Sequence, residues 1–135
     1  MNKPGRLREA LIRGLSDIAL DPQKLLIFAE RGTVVATGEP GESWEYTYQL
    51  TVIVQDFAGD MDALTAIVLR WLAAEQPDLL LSPESRRNGV RFEVELMTAE
   101  LADVQFQLYV TEPVRQRNDG FEHPAPPPAD PTAMW

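Results

Sequence analysis

The side chains that could do chemistry in this sequence are carboxylates. Its 135 residues include 21 Asp and Glu, one histidine and no cysteine, so the commonest acid–base and nucleophilic groups are nearly absent. A glycosidase needs two carboxyl groups beside its substrate, and the candidate pairs are Glu93 with Glu95 and Asp56 with Asp60. The first pair falls on the polar face of a predicted strand, and the second borders a turn and a helix start, where acids are favoured structurally. We therefore expect a protein that is not an enzyme.

Metal and cofactor sites are not indicated either. Asp56, Asp60 and Asp62 are spaced acids, but a calcium loop ends in a glutamate at its twelfth position, and Glu75 lies too far along the chain. Asp60 as a helix N-cap, with Asp62 in the first turn, explains these acids more simply. The lone histidine, His123, lies in a proline-rich stretch. We expect no cofactor and no metal ion.

The charge balance opposes tight binding of nucleic acid. The formal net charge is −9 and the isoelectric point of the sequence is about 4.5, whereas DNA-binding proteins present a positive surface. Arg86, Arg87 and Arg91 form a small basic cluster, which is either a solvated loop and strand face or a phosphate contact. The sequence contains no secretion signal and no apolar run of the ~20 residues that a membrane span needs. We expect a soluble cytoplasmic protein without membrane contact.

Two amphipathic helices are predicted, because apolar residues recur at helical spacing in two segments. The first begins at Pro4 and ends at Asp21-Pro22, since the residue before proline disfavours the helical conformation. The second follows Asp60 and ends at Pro77. Its predicted buried stripe consists of Leu64, Ile67, Val68, Trp71 and Leu72.

Several strands and turns are predicted around these helices. Residues 24–30 and 33–37 have the pattern of two short strands joined by a turn at Arg31-Gly32. Residues 38–41 form a second turn, and residues 78–88 a loop.

A longer strand over residues 44–55 has the clearest pattern, since apolar or aromatic residues alternate with mostly polar ones. Residues 90–96 and 104–110 alternate likewise and predict an antiparallel hairpin. We expect an α+β domain over residues 1–112, with an antiparallel or mixed sheet of four to five strands and two helices packed on it.

The composition changes at residue 113. Residues 113–135 are rich in proline and poor in apolar periodicity, so we expect a flexible, disordered C-terminal tail. The prolines that dominate its second half are Pro124, Pro126, Pro127, Pro128 and Pro131.

An aromatic stripe on the long strand has two interpretations. Trp44, Tyr46 and Tyr48 either pack in the core or form an interface, where Trp and Tyr are enriched. A strand longer than the usual five to six residues also suggests projection towards a partner. The candidate interface residues are Trp44, Tyr46, Tyr48, Phe57, Asp60, Arg86 and Arg87.

A series of short segments, in order along the chain, resembles the tail-completion protein R family of temperate contractile-tailed phages. The resemblance covers residues 1–114, is strongest over residues 43–60, and does not extend to the proline-rich tail. The segments that carry it are Met1-Asn2-Lys3-Pro4, Leu7-Arg8, Val34-Val35-Ala36-Thr37-Gly38, Ser43-Trp44-Glu45-Tyr46, Asp56-Phe57, Gly59-Asp60, Trp71-Leu72, Gln76-Pro77-Asp78, Phe92-Glu93-Val94-Glu95 and Thr111-Glu112.

The resemblance implies a structural virion protein that completes or terminates the tail at its head-proximal, neck end, after assembly in the host cytoplasm. The order of elements is also similar to that of phage tail-terminator proteins, which form six-fold rings that cap the tube. The implied partners are other copies in a hexameric ring, tail tube and sheath proteins, and neck or head-completion proteins. DNA would pass through without specific binding, because an acidic lumen repels phosphates.

Three alternatives stay open at this point. The chain could be a neck or head–tail joining protein of the same virion, or an accessory part of a tail-derived contractile particle. A small carboxylate-dependent hydrolase would instead require a carboxyl group of raised pKa in a pocket.

Overall fold

The computed structural model describes residues 1–37 and 43–125, which form a layer of helices on one face of an antiparallel sheet. The helices are α1 (Lys3–Gly14), α2 (Ser16–Leu20), α3 (Met61–Glu75) and α4 (Pro83–Asn88), with 3-10 turns at Pro22–Lys24 and Pro77–Leu80. The strands are β1 (Leu25–Ala36), β2 (Trp44–Phe57), β3 (Val90–Leu96), β4 (Ala102–Arg117) and β5 (Gly120–Glu122). The predicted α+β class is confirmed.

The sheet has the order β1-β2-β4-β3, and β5 pairs with the far end of β4. All neighbouring strands are antiparallel, and β3 and β4 form the predicted hairpin. β2 and β4 have 14 and 16 residues, so they form a long central pair from which the other strands extend the sheet on both sides. β1 and β3 are therefore the two edge strands.

The prediction of a hairpin within residues 24–37 is wrong. Both predicted strands belong to β1 and pair with β2, the first with its second half and the second with its first half. Arg31-Gly32 does not reverse the chain but makes an irregularity in the register between Glu30 and Thr33, with Arg31 at φ 51°. The long β2 offers partners to both halves, which is why they align as one strand. The predicted turn at 38–41 lies outside the described residues.

Two further boundaries differ from the prediction. The first helix is interrupted at Leu15, which is extended and buried, so that α2 follows α1 as a separate short helix. The break comes where α1 crosses α3, since a Cβ added at Gly14 would lie 2.6 Å from Ile67 Cδ1. The predicted loop at 78–88 contains α4, which the Ser82 side chain caps by accepting the Ser85 N–H at 3.0 Å.

The proposed start of the flexible tail at residue 113 is also wrong. β4 continues to Arg117 and β5 follows at Gly120–Glu122, so the ordered domain extends past the predicted boundary at 112. The side chain of His123 is mostly buried, with Nδ1 4.0 Å from Glu112 Oε2. Pro113 fits within β4 although proline lacks an N–H. Residues 126–135, which include four of the five prolines that define the tail, lie outside the described residues.

The core lies between the sheet and helices α1 and α3. It includes Leu7 and Leu11 of α1, the predicted stripe of α3 with Ile67 only partly buried, and alternate residues of β2 and β4. Two interface candidates belong to this core, since Tyr48 and Phe57 are each 4% exposed. Both were predicted as residues that contact a partner, and the structure places their side chains in the core of the chain.

A buried polar cluster joins α1, the end of α3 and β4. Lys3 is 3% exposed, and its ammonium donates to the backbone oxygens of Glu75 and Thr111 and to Gln76 Oε1, at 2.7, 2.6 and 2.7 Å. Its three donors are therefore satisfied by neutral oxygens. Burial lowers the pKa of Lys3, while the carboxylates of Glu75 and Glu112 oppose that shift.

Glu112 acts in this cluster as an N-cap that comes from outside the helix. Its Oε1 accepts the backbone N–H groups of Asn2 and Lys3 at 2.8 and 3.0 Å, whereas the Asn2 side chain makes no capping bond. Gln76 completes the cluster, because its Oε1 accepts the Thr111 N–H at 3.0 Å and its Nε2 donates to Thr111 Oγ1 at 3.0 Å. These bonds fix α1 and the end of α3 against β4.

We expect Glu112→Ala to lower the free energy of unfolding by about 2 kcal/mol, because buried N–H groups at the start of α1 lose their acceptor. Urea unfolding followed by tryptophan fluorescence measures this change. The matched control is Glu122→Ala, which removes an exposed ion pair with Arg117 and should leave the midpoint nearly unchanged. Equal losses in the two variants would contradict the capping role of Glu112.

Tyr48 makes stability depend on pH in the alkaline range. Burial, together with the Glu112 carboxylate, raises the pKa of Tyr48 above its ordinary value of 10.0. The folded state thus keeps a proton that the unfolded chain releases, so stability falls as pH rises above 10. Tyr48→Phe should remove this loss of at most about 1.4 kcal/mol per pH unit. Urea unfolding of both proteins from about pH 9 to about pH 11 tests this; a constant difference between them would show that Tyr48 ionises normally.

Candidate functional site

The carboxylates that were weighed as catalytic pairs are a helix cap, a residue of a strand irregularity and residues of an exposed sheet face. Asp60 caps α3, as predicted, by accepting a backbone N–H of the first turn at 3.0 Å. Asp56 lies in the irregularity near the end of β2 with φ 49°, and its N–H donates to Asp103 Oδ1 at 2.9 Å. Glu93 and Glu95 are exposed on the sheet face that points away from the helices. Within residues 1–37 and 43–125, no group of three His, Asp or Glu side chains could hold a metal ion.

Trp44 and Tyr46 lie at the end of the sheet where α1 begins, since Tyr46 pairs with Glu112. Both are half-buried, and their rings meet edge to face with centroids 5.9 Å apart. Trp44 also contacts Phe121 of β5 at 5.3 Å, and Phe121 is 53% exposed. This aromatic end of the domain remains available to a partner. Phe121 was not among the predicted interface residues, because it lies in the segment that we predicted to be flexible.

The charged interface candidates are exposed, but they do not form one surface. Asp60 lies at the start of α3, whereas Arg86 and Arg87 lie in α4, which follows the end of α3. Because α3 has 15 residues and is about 22 Å long, these groups occupy opposite ends of the helix layer. Arg86 and Arg87 are in the last turn of α4, where cations interact favourably with the helix dipole.

Most of the large exposed apolar residues fall on the two opposite edges of the sheet. One group belongs to α2 and β1: Leu20, Leu26, Phe28, Val34 and Val35. The other belongs to β3 and the residue after it: Phe92, Val94, Leu96 and Met97. Edge strands with exposed apolar side chains are sites of strand pairing with another chain. The two edges therefore form the main candidate interaction surfaces.

The apolar side chains of β3 are exposed because, in the described part of the chain, the helix layer does not extend over the inward face of this strand. One flank of α3 packs against α1, and its other flank borders a groove along β3. This groove is lined in part by Met61, Val94, Leu96, Leu101 and Val104. The prediction that the apolar residues of β3 share one face is confirmed, but that face is largely open to solvent.

The end of the domain where β2 ends and β4 begins is acidic. The residues that share this end, exposed or half-buried, are Asp56, Asp60, Asp62, Glu95, Glu100 and Asp103. Such a surface repels DNA phosphates. None of the helices in the described part of the chain is long and apolar enough to cross a membrane.

Three segments that carry the family resemblance meet in the buried polar cluster. Asn2-Lys3-Pro4 opens α1, Gln76-Pro77-Asp78 follows α3, and Thr111-Glu112 lies in β4. The hydrogen bonds of Lys3, Gln76 and Glu112 connect them. The sequence identifies the segments but not their contact, because each polar residue alone has the character of a surface residue.

Comparison with known proteins agrees with this resemblance. The family model of the P2 phage tail completion protein R (GpR) matches residues 1–127. Tail completion protein R of Escherichia phage P2 is 35% identical over 136 residues, which covers 97% of this chain and 88% of that protein. No solved structure matches the chain. Because the match extends over nearly the whole sequence, the chain belongs to the P2 phage tail completion protein R family, a family of structural phage tail proteins.

Proposed function

We propose that this tail-completion protein forms a closed ring of six copies at the head-proximal end of the tail, where it caps the tube and prepares head–tail joining. The observation that carries the proposal is the placement of exposed apolar residues on two opposite edges of the sheet. Contact between two different surfaces builds a ring when the rotation closes, whereas a two-fold dimer would use one surface twice. The similarity of the element order to tail-terminator rings supports six copies.

In this arrangement each subunit has two ends that face different partners. The aromatic end with Trp44, Tyr46 and Phe121 and the acidic end with Asp60 would lie on opposite sides of the ring. One side would contact tail tube and sheath proteins, and the other neck or head-completion proteins. The protein would act by contact alone, without catalysis, after assembly in the host cytoplasm.

DNA would pass through the ring without specific binding. The net charge of −9 on each copy supports a lumen that repels phosphates. A ring structure in which Lys and Arg line the hole would contradict this placement.

Loss of the protein should give tails of uncontrolled length, because tube subunits would continue to add at an uncapped end. Electron microscopy of particles assembled with and without the gene measures tail length, and a plasmid copy of the gene should restore it. Tails of normal length that fail to attach to filled heads would instead favour the head–tail joining role, and the capping mechanism would be withdrawn.

The purified protein should not bind duplex DNA at physiological salt, since its acidic surface opposes the phosphate contacts on which such binding rests. Fluorescence anisotropy of a labelled duplex at about 0.15 M salt measures this. Arg86→Glu with Arg87→Glu is the matched variant and should behave like the wild type. Binding that weakens with salt and disappears in this variant would identify α4 as a phosphate contact.

A further inference from the structure

We propose that neighbouring subunits join by strand pairing, in which β3 of one copy pairs antiparallel with residues 25–30 of β1 in the next copy. This inference rests on the proposed ring and specifies how it closes. It requires the strands to run roughly along the ring axis, so that rotation about the axis preserves their direction. The sheets of all copies would then form one continuous wall.

Strand direction fits this pairing. β3 is antiparallel to β4, β4 is antiparallel to β2, and β2 is antiparallel to β1. β1 and β3 therefore run in opposite directions at the two edges of the sheet. Since copies in a ring point the same way, β3 of one copy and β1 of the next would meet antiparallel, as do all strand pairs within the described chain.

Residues 25–30 of β1 and strand β3 also lie at the same position along the strand direction of the sheet. One row of paired residues runs across the sheet through Leu26, Ile53, Gln105 and Glu93. A second row, two residues along each strand, consists of Phe28, Thr51, Gln107 and Arg91. The regular part of β1 ends at Glu30, where the register shifts. The part of β1 that can pair regularly thus occupies the rows that β3 occupies, and a ring needs no axial shift to bring them together.

Apolar side chains on the helix side of the two edges are complementary. Leu20 of α2 and Leu96 of β3 are 87% and 79% exposed, and both lie near the acidic end of the domain, on opposite edges. In the pairing, α1 and α2 of the next copy would lie beside the groove along β3. They would cover Phe92, Val94 and Leu96, which stay exposed beside the helices of residues 1–37 and 43–125. Burial of these residues provides the driving force.

Charges on the opposite sheet face match as well. Arg91 would lie beside Phe28 of the next copy and diagonal to Glu30, within reach of an ion pair. Glu95 would lie at the height of Lys24, which precedes β1 by one residue. An oppositely charged group is therefore within reach at each end of the paired segment.

The absence of cysteine allows a direct test by cross-linking, because two introduced cysteines are the only thiols in the chain. The variant combines Leu26→Cys with Glu93→Cys, two exposed positions in the same row. Opposite residues of an antiparallel pair have Cβ atoms about 4.5–5.5 Å apart, which is close enough for a disulfide after a small adjustment. Oxidised particles should show a ladder of linked chains on a non-reducing gel, up to the complete ring.

The matched control combines Val35→Cys with Glu93→Cys. Val35 is as exposed as Leu26 and lies on the same face of the sheet. Its row of paired residues includes Pro113, whereas the row of Leu26 and Glu93 includes Gln105, eight residues away on β4. The two rows are therefore about 27 Å apart. This control should give less than about one-tenth of the linked product.

The remaining outcomes separate this pairing from the proposed function. Particles with tails of normal length but without linked chains in the Leu26 and Glu93 variant would overturn the strand pairing and leave the capping role intact. Efficient linkage in either single-cysteine variant would indicate a two-fold contact and also overturn it. Tails of normal length in the absence of the gene would defeat the capping function itself, whatever the gel shows.

Discussion

The placement of the whole helix layer depends on how α1 begins. Glu112 from the middle of β4 accepts the first N–H groups of α1, and the Lys3 ammonium is held by oxygens from the end of α3 and from β4. A charged group this deeply buried is stable only when each donor has an acceptor, so the cluster admits few alternative positions for the helix. Because one lysine binds both α3 and β4, the two main helices are positioned together.

This constraint explains why part of the sheet stays uncovered. With α1 starting beside Glu112 and α3 packed next to it, the helices cover the inward faces of β2 and β4 and the start of β1 at Leu25 and Ile27. The layer ends at the flank of α3 that carries Met61, and the inward face of β3 lies beyond it. At the other end, Trp44 and Phe121 lie past the start of α1. The open surfaces are consequences of helix position rather than of any unusual strand sequence.

The sequence was sufficient for elements whose pattern is local. Alternation predicted β2 and the β3–β4 hairpin, and helical spacing with a capping aspartate at Asp60 predicted α3. The hairpin predicted in β1 failed because Arg31-Gly32 can serve either a turn or a bulge, and the choice depends on the partner strand. Likewise, the prolines after residue 113 obscured a strand whose pairing with β2 is a long-range effect.

The functional surfaces were harder to predict, because burial depends on packing between elements. Tyr48 and Trp44 belong to one alternating stripe, yet the first is covered by the helices and the second is only half-buried. Phe92 and Phe106 likewise pair across the hairpin with similar patterns, but Phe106 lies under the helices whereas Phe92 is 63% exposed. Periodicity identifies the apolar face of a strand, but not which strand the helix layer fails to reach.

The two open edges need protection against uncontrolled pairing, and the chain provides it in two ways. β3 carries Arg91, Glu93 and Glu95 on its outer face, and the bulge at Arg31 limits the regular part of β1. A net charge of −9 on each copy also makes free subunits repel one another. These features oppose association of free subunits in solution. In the proposed ring, the matched rows and charges favour one pairing. Association would then depend on the end of the tail tube bringing several copies together, which suits the proposed capping role.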